Sequence, residues 1–281
     1  MKNFVINPVL NKEFKLRFRS FKSFLGVLFY LLALGLIIIG FVFIESISNN
    51  QGFFKPDQSR NIFIMLSFLQ LALVLFITPG LTAGVISSER ERQTLNIMLT
   101  TTQSSASIIL SKLISSISYL LLLIIASLPL YSFVFLFGGI SPGQVLITIA
   151  FYIFTMIAFG SLGVLFSTLI RKTIVSMITA YGVTLFLAGG TAFLTIVLME
   201  FSNRYGNTGT PSTNPLSYFI AMLSPPVILL SSFEPEVTRE IENKSGIDFP
   251  LWVSYLISYS IIIIGAVFIS IKKLRPNMKK G

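Results

Sequence analysis

The stretch from Leu113 to Ile170, LISSISYLLLLIIASLPLYSFVFLFGGISPGQVLITIAFYIFTMIAFGSLGVLFSTLI, runs for 58 residues without one charged side chain. A helix needs about 20 apolar residues to cross the hydrocarbon core of a bilayer, so this stretch is too long for a single crossing. It is broken by Gly138-Gly139-Ile140-Ser141-Pro142-Gly143, a turn signature. It therefore reads as two spans. Four more runs of membrane length surround it: Phe24–Ile44, Asn61–Ile86, Thr173–Met199 and Leu251–Ile271. The lengths are helical, because barrel strands would be about 10 residues long with alternating polarity. The predicted fold is an all-α integral membrane protein with six transmembrane helices.

Composition agrees. Hydrophobic types make up 53% of the chain and charged types 11%, against about 25% charged in a soluble domain. Cysteine and histidine are absent, which removes disulfides, thiolate nucleophiles, imidazole bases and the usual zinc sites. No charged residue falls in the middle of a span, which argues against a proton-coupled carrier, although sodium sites can use neutral oxygens. No HExxH and no GxxxxGK[ST] occurs, so neither a metalloprotease site nor ATP binding by this chain is expected. The chain is not expected to be an enzyme by itself. A long polar, basic segment precedes the first apolar run, so the first span is expected to serve as the insertion signal, without a cleaved leader.

Six spans put both termini on one face of the membrane. With that face placed in the cytoplasm, the inner segments carry 16 Lys and Arg and the outer ones 5. Eight of the eleven acidic residues sort outside. This positive-inside bias sets the orientation and accounts for most of the net charge of +10. Nucleic-acid binding is the weaker explanation, because the basic residues are spread over every inner loop. In residues 1–23, Leu10, Phe14, Phe18 and Phe21 recur at helical spacing opposite Lys12, Lys15, Arg19 and Lys22, which predicts an interfacial amphipathic helix. Residues 215–233 are apolar but broken by Ser224-Pro225-Pro226. They are expected to form a re-entrant segment before the last span. A full seventh crossing would export the basic tail. Polar side chains within spans, Gln70, Thr78, Tyr181, Thr184 and Thr191, read first as helix-packing contacts and second as a translocation path.

One segment stands apart: Ser87–Thr102, SSERERQTLNIMLTTT, places four consecutive charges between apolar runs. Ser88 and Glu91 have capping-box spacing. Thr94, Leu95, Met98 and Leu99, with Thr102, then lie on one helical face. That face could rest on lipid or neighbouring spans, or fit a groove on a partner.

This segment and its continuation through Lys112, SSERERQTLNIMLTTTQSSASIILSKL, resemble the loop after span two of the ABC-2 type permeases of ABC transporters. That loop reads like E-R-E-x-G-T-L-E-x-L-L-x-T-P, followed by a lysine. Glu89, Arg90, Glu91, Thr94, Leu95, Met98, Leu99, Thr100 and Lys112 match. Gln93 stands where the pattern has glycine, and Thr101-Thr102 replace the Thr-Pro or Ser-Pro pair. The resemblance implies one transmembrane domain, residues 1–281, with spans near 24–44, 61–86, 108–137, 142–170, 173–199 and 251–271. It implies a coupling helix at 88–102 and an extracytoplasmic loop at 200–250. Partner docking would fall to Glu89, Arg90, Glu91, Arg92, Thr94, Leu95, Met98 and Leu99. The partners implied are two ABC ATPase subunits, which hold ATP and Mg, and a second permease copy or homologue. Spans two and five would line the path, and spans one and two would move together when the ATPases close. The function implied is movement, more often export, of a drug, antimicrobial peptide, lipid, glycan or ion across a bacterial plasma membrane. A scaffold or sensor subunit and an ATP-independent carrier are the alternatives.

Overall fold

The computed structural model describes residues 21–48, 56–95, 104–136, 140–206 and 214–274. Among these, every regular element is helical. α1 is Phe21–Ser48, α2 Pro56–Thr82, α3 the short Ser87–Glu91, α4 Ser105–Leu136 and α5 Pro142–Leu169. α6 (Thr173–Leu185) continues into α7 (Thr191–Gly206) through a π-helical turn at Phe186–Gly190. α8 (Pro215–Ala221), α9 (Pro225–Phe233), α10 (Pro235–Ser245) and α11 (Leu251–Leu274) complete the order. Among the described residues, six helical segments are long and apolar enough to cross a membrane: α1, α2 counted with α3 (Ser59–Glu91), α4, α5, α6 with α7, and α11. Residues 1–20, which hold most of the expected interfacial helix, lie outside the described residues.

Local chemistry sets the boundaries. At α5, Gln144 N donates to Ser141 Oγ (3.2 Å) and Ser141 N to Gln144 Oε1 (3.3 Å). This is a capping box, with Pro142 at the first helical position. Ser104 Oγ accepts from Ser107 N (3.2 Å) at the start of α4, and Asn214 Oδ1 accepts from Leu216 N (3.1 Å) at the start of α8. α10 ends on Gly246 in the left-handed region (φ 71°), whose N–H returns to Glu242 O at 2.8 Å.

The chain divides into two compact units. The first comprises Met1–Thr78 and Thr101–Gly160, and so contains α1, most of α2, α4 and the first part of α5. Lipid tails are as apolar as leucine, so membrane helices associate through close packing and interhelical hydrogen bonds. Both occur in this unit. Tyr30 donates to Gln70 Oε1, and Tyr152 Oη donates to Ser67 O at 2.8 Å. Tyr131 meets Phe63 edge-on at 5.8 Å between ring centroids. α1 approaches α4 so closely that a Cβ on Gly26 would lie 2.7 Å from Tyr119 Oη. Outward faces carry Phe29, Leu36, Ile39 and Ile44, as suits contact with hydrocarbon.

The second unit comprises Pro79–Thr100 and Ser161–Gly281, and so contains the end of α2, α3, the end of α5, and α6 to α11. Its bent pair, α8 and α9, meets at 97°. With 7 and 9 residues, neither arm reaches the roughly 30 Å of a bilayer core at 1.5 Å per residue. Irregular backbone at such a bend must be covered by protein, and α11 supplies the cover. Tyr218 Oη donates to Phe249 O (2.8 Å) and lies 2.6 Å from Ser254 Oγ. Tyr259 Oη donates to Leu223 O (2.8 Å), within the bend. The π-turn is covered in a similar way. Thr191 N bonds back to Phe186 O, Thr191 Oγ1 donates to Leu187 O (2.6 Å), and Ser224 Oγ lies 3.5 Å from Ala188 O.

Candidate partner-docking site

The contacts described here for α3 belong to the second unit. α2 ends at Thr82 and a turn through 83–86 leads into Ser87–Glu91. A short helix leaves most of its end groups without intrahelical partners, and here neighbouring helices supply them. Ile86 N and Ser87 N both donate to Ser167 Oγ of α5, at 2.8 and 3.0 Å. Arg90 Nη2 donates to Thr168 O (3.1 Å), a carbonyl of the last turn of α5. Glu91 accepts from Thr173 N (2.9 Å) and Thr173 Oγ1 (2.7 Å) at the first residue of α6. Ser176 Oγ of α6 donates to Ala83 O at 2.7 Å. Space is equally tight. A Cβ on Gly163 would overlap Thr82 Oγ1 and stand 3.3 Å from Ala83 N, and one on Gly84 would stand 2.8 Å from Met177 Cε.

The expected Ser88–Glu91 capping box does not form. The cap falls two residues earlier, at Ile86, with no side-chain cap. Ser88 N is already bonded to Gly84 O (3.0 Å), so the amide that Glu91 would reach back to is taken. The exposed amide at the start of α6, where Lys172 provides no side-chain cap, receives the carboxylate instead. Two donors to the charged form hold the Glu91 carboxyl below the usual glutamate range, with Lys172 a smaller contribution. This residue lies beyond the apolar run that ends at Ile86. A depressed carboxyl pKa contributes stability above the unfolded value, which is lost as pH falls through the folded one.

Gln93 has φ 59°. It follows Arg92 at the end of α3 (φ −78°, ψ 0°) and turns the chain in the left-handed region, where a non-glycine residue costs about 1–2 kcal/mol. The position where the resembling pattern has glycine is thus one whose backbone favours glycine. Thr94 Oγ1 then donates to Glu89 O (3.2 Å), and helical backbone resumes at residues 94 and 95.

Of the residues expected to meet a partner, Glu91, Arg92 and Thr94 are exposed, as is Gln93, and Glu89 and Arg90 are half-buried. Leu95 is only 5% exposed, so its side chain is buried among other residues of the chain. Met98 and Leu99 lie outside the described residues. Arg171 and Lys172, in the α5–α6 turn, are exposed beside α3. Lys112, which the pattern places near the start of span three, is buried at 3% exposure in the second turn of α4.

The residues considered for a translocation path divide between the units. Gln70 and Thr78 lie in the first, Tyr181, Thr184 and Thr191 in the second. Gln70 accepts from Tyr30, and Thr78 Oγ1 donates to Val74 O at 2.5 Å, just before Pro79, which lacks an N–H of its own. Thr191 serves the π-turn, and Tyr181 Oη occupies the space above Gly80. The sequence does not single out Ser167, Thr173 or Ser176. Its one available signal is a threonine opening a helix whose preceding lysine cannot cap it.

Six membrane-length helices, a bent helical pair before the last of them and a charged helical link after the second define a multi-pass α-helical membrane protein. The sequence model of the ABC-2 family transporter proteins matches residues 8–271. The chain belongs to that family, and is a permease subunit of an ABC transporter, the transmembrane partner of ABC ATPase subunits. No curated protein matches the chain.

Proposed function

We propose that the chain works as half of an exporter, paired with a second permease copy and with two ATPase subunits that bind ATP and Mg. In this reading both termini and α3 face the cytoplasm, supported by the 16 to 5 sorting of basic residues. Residues 88–102 dock the ATPase, α8 and α9 dip into the outer leaflet, and the path runs between the two permease copies. The substrate is a drug, antimicrobial peptide, lipid, glycan or ion.

One observation supports docking above the rest. α3 and the turn after it expose Glu91, Arg92, Gln93 and Thr94 to a partner, while the end groups of α3 are bonded to the ends of two membrane-length helices. A push on the exposed side therefore reaches the spans instead of being lost in a loop.

Charge reversal at the exposed Arg92 tests this. Arg92→Glu leaves the fold within about 0.5 kcal/mol, as surface changes do. It should weaken capture of the co-expressed ATPase about tenfold. Unchanged capture and unchanged ATP turnover would remove the docking role.

A further inference from the structure

We infer that Glu91 is a positioning residue that latches the inner helix α3 to the start of α6, so that motion taken up at α3 is delivered to α5 and α6 as one body. The inference rests on the proposed docking role for its functional meaning, but the latch itself is a property of this chain alone.

The geometry supports a latch in three ways. First, the bonds are directed at groups that the helix itself leaves open. Thr173 N is an orphan amide of the first turn of α6, and Glu91 satisfies it together with the hydroxyl of the same residue. A carboxylate at a helix N-terminus also meets the positive end of its dipole. Second, the contact is one of several in parallel. Arg90 holds Thr168 O, Ser167 Oγ holds the amides of Ile86 and Ser87, and Ser176 holds Ala83 O. These bonds join α3 and its leading turn to the last turn of α5 and the first turn of α6. Third, Gly84 lies so near Met177 and Thr173 that α3 and its leading turn have little room to slide along α6. The expectation from the sequence is that spans one and two move as a unit under the push. The bonds described for α3 instead make the ends of spans four and five its direct followers.

Thr173 offers a clean test. It opens α6, and Lys172 before it is extended, with φ −91° and ψ 125°. That is the conformation required of a residue preceding proline, and proline is well tolerated at the first helical position. Thr173→Pro therefore removes both donors to Glu91 without breaking the helix. Thr173→Ser keeps both donors and serves as the rescue. The chain has no cysteine, so spin labels on cysteines placed at Thr94 and Ile178, both exposed, report one distance within the second unit.

The experiment uses the full chain in lipid nanodiscs, without and with its ATPase. Without ATPase, the 94–178 distance should be narrow in the parent and in Thr173→Ser, and broad in Glu91→Gln and Thr173→Pro. In the unlabelled complex, Thr173→Pro should capture ATPase normally while permease-stimulated ATP turnover falls roughly threefold, and Thr173→Ser should restore it. A narrow distance in Thr173→Pro and Glu91→Gln, or equal impairment of Thr173→Ser and Thr173→Pro, overturns the latch. If the parent captures no ATPase, the docking reading falls, and the distance measurement still decides the latch.

Discussion

The two units of this chain hold themselves together with different kinds of polar contact. In the first, side chains in mid-span bond across helices, as Tyr30 does with Gln70 and Tyr152 with the Ser67 carbonyl. In the second, the contacts described above gather where helices stop: Ser167 and Glu91 on the ends around α3, Tyr218 on the Phe249 carbonyl just before α11, Tyr259 on the bend between α8 and α9, Thr191 and Ser224 on the π-turn. A continuous helix satisfies its own backbone and can spend side chains on neighbours. A broken helix in a membrane exposes backbone groups that some side chain must reach. The first unit thus has the character of a bundle of whole helices. The second accommodates breaks, and α3 is one of its parts.

The largest expected effect lies in the second unit. Gly163→Leu would drive a side chain into Thr82 and the Ala83 backbone, where overpacking costs about 1–3 kcal/mol or more. Loss of the monodisperse species in detergent, or a steep fall in Tm, is the expected result. A stable variant would mean that this part of α5 is not closely packed on α2.

Removing one hydroxyl or amide from each unit then sharpens the comparison. Gln70→Ala takes one of two partners, Gln70 and Ser127, from the buried Tyr30 hydroxyl and should cost about 1 kcal/mol, whereas Gln70→Leu combined with Tyr30→Phe should recover part of it, because both partners are then apolar. Tyr259→Phe takes the hydroxyl from the Leu223 carbonyl and should cost about 1 kcal/mol. Thermal unfolding of the purified chain measures both. If Gln70→Ala is no worse than the double variant, the first unit does not depend on that bond.

The smallest effect has the opposite sign. Gln93→Gly relieves the left-handed backbone at φ 59° and should stabilise the chain by up to about 1 kcal/mol, offset in part by the freedom glycine adds to the unfolded state. A Gln93→Val variant should be destabilised. No difference between the two would mean the turn leaves the left-handed region easily.

The pattern of these contacts also explains what can be read from the sequence. Six spans are legible because an uncharged run of sufficient length has few other uses, and the Gly-Gly-Ile-Ser-Pro-Gly break separates the two inside the longest run. Ser224-Pro225-Pro226 is legible as a break because proline cannot continue a helix from the preceding turn, and the bend of 97° falls there. The use of Glu91 is not legible. Its spacing from Ser88 fits a local cap, and only the fold shows that the Ser88 amide is taken and that Thr173, 82 residues away, is open. The burial of Leu95 is hidden for a related reason. Helical spacing assigns residues to a face, but which face meets the rest of the chain is a tertiary fact. The left-handed turn at Gln93 is signalled only by the glycine of the resembling pattern.

In the proposed complex the exposed residues at the end of α3 meet an ATPase. Because the chain has no native cysteine, a single cysteine at Thr94 can carry a short photo-activated cross-linker in the assembled complex, with a cysteine at the exposed Glu236 of α10 as the control on the opposite expected face. A covalent adduct to the ATPase is expected from position 94 and none from position 236. An adduct from 236, or cross-linking from 94 to lipid or a second permease copy but never to the ATPase, would contradict the docking role.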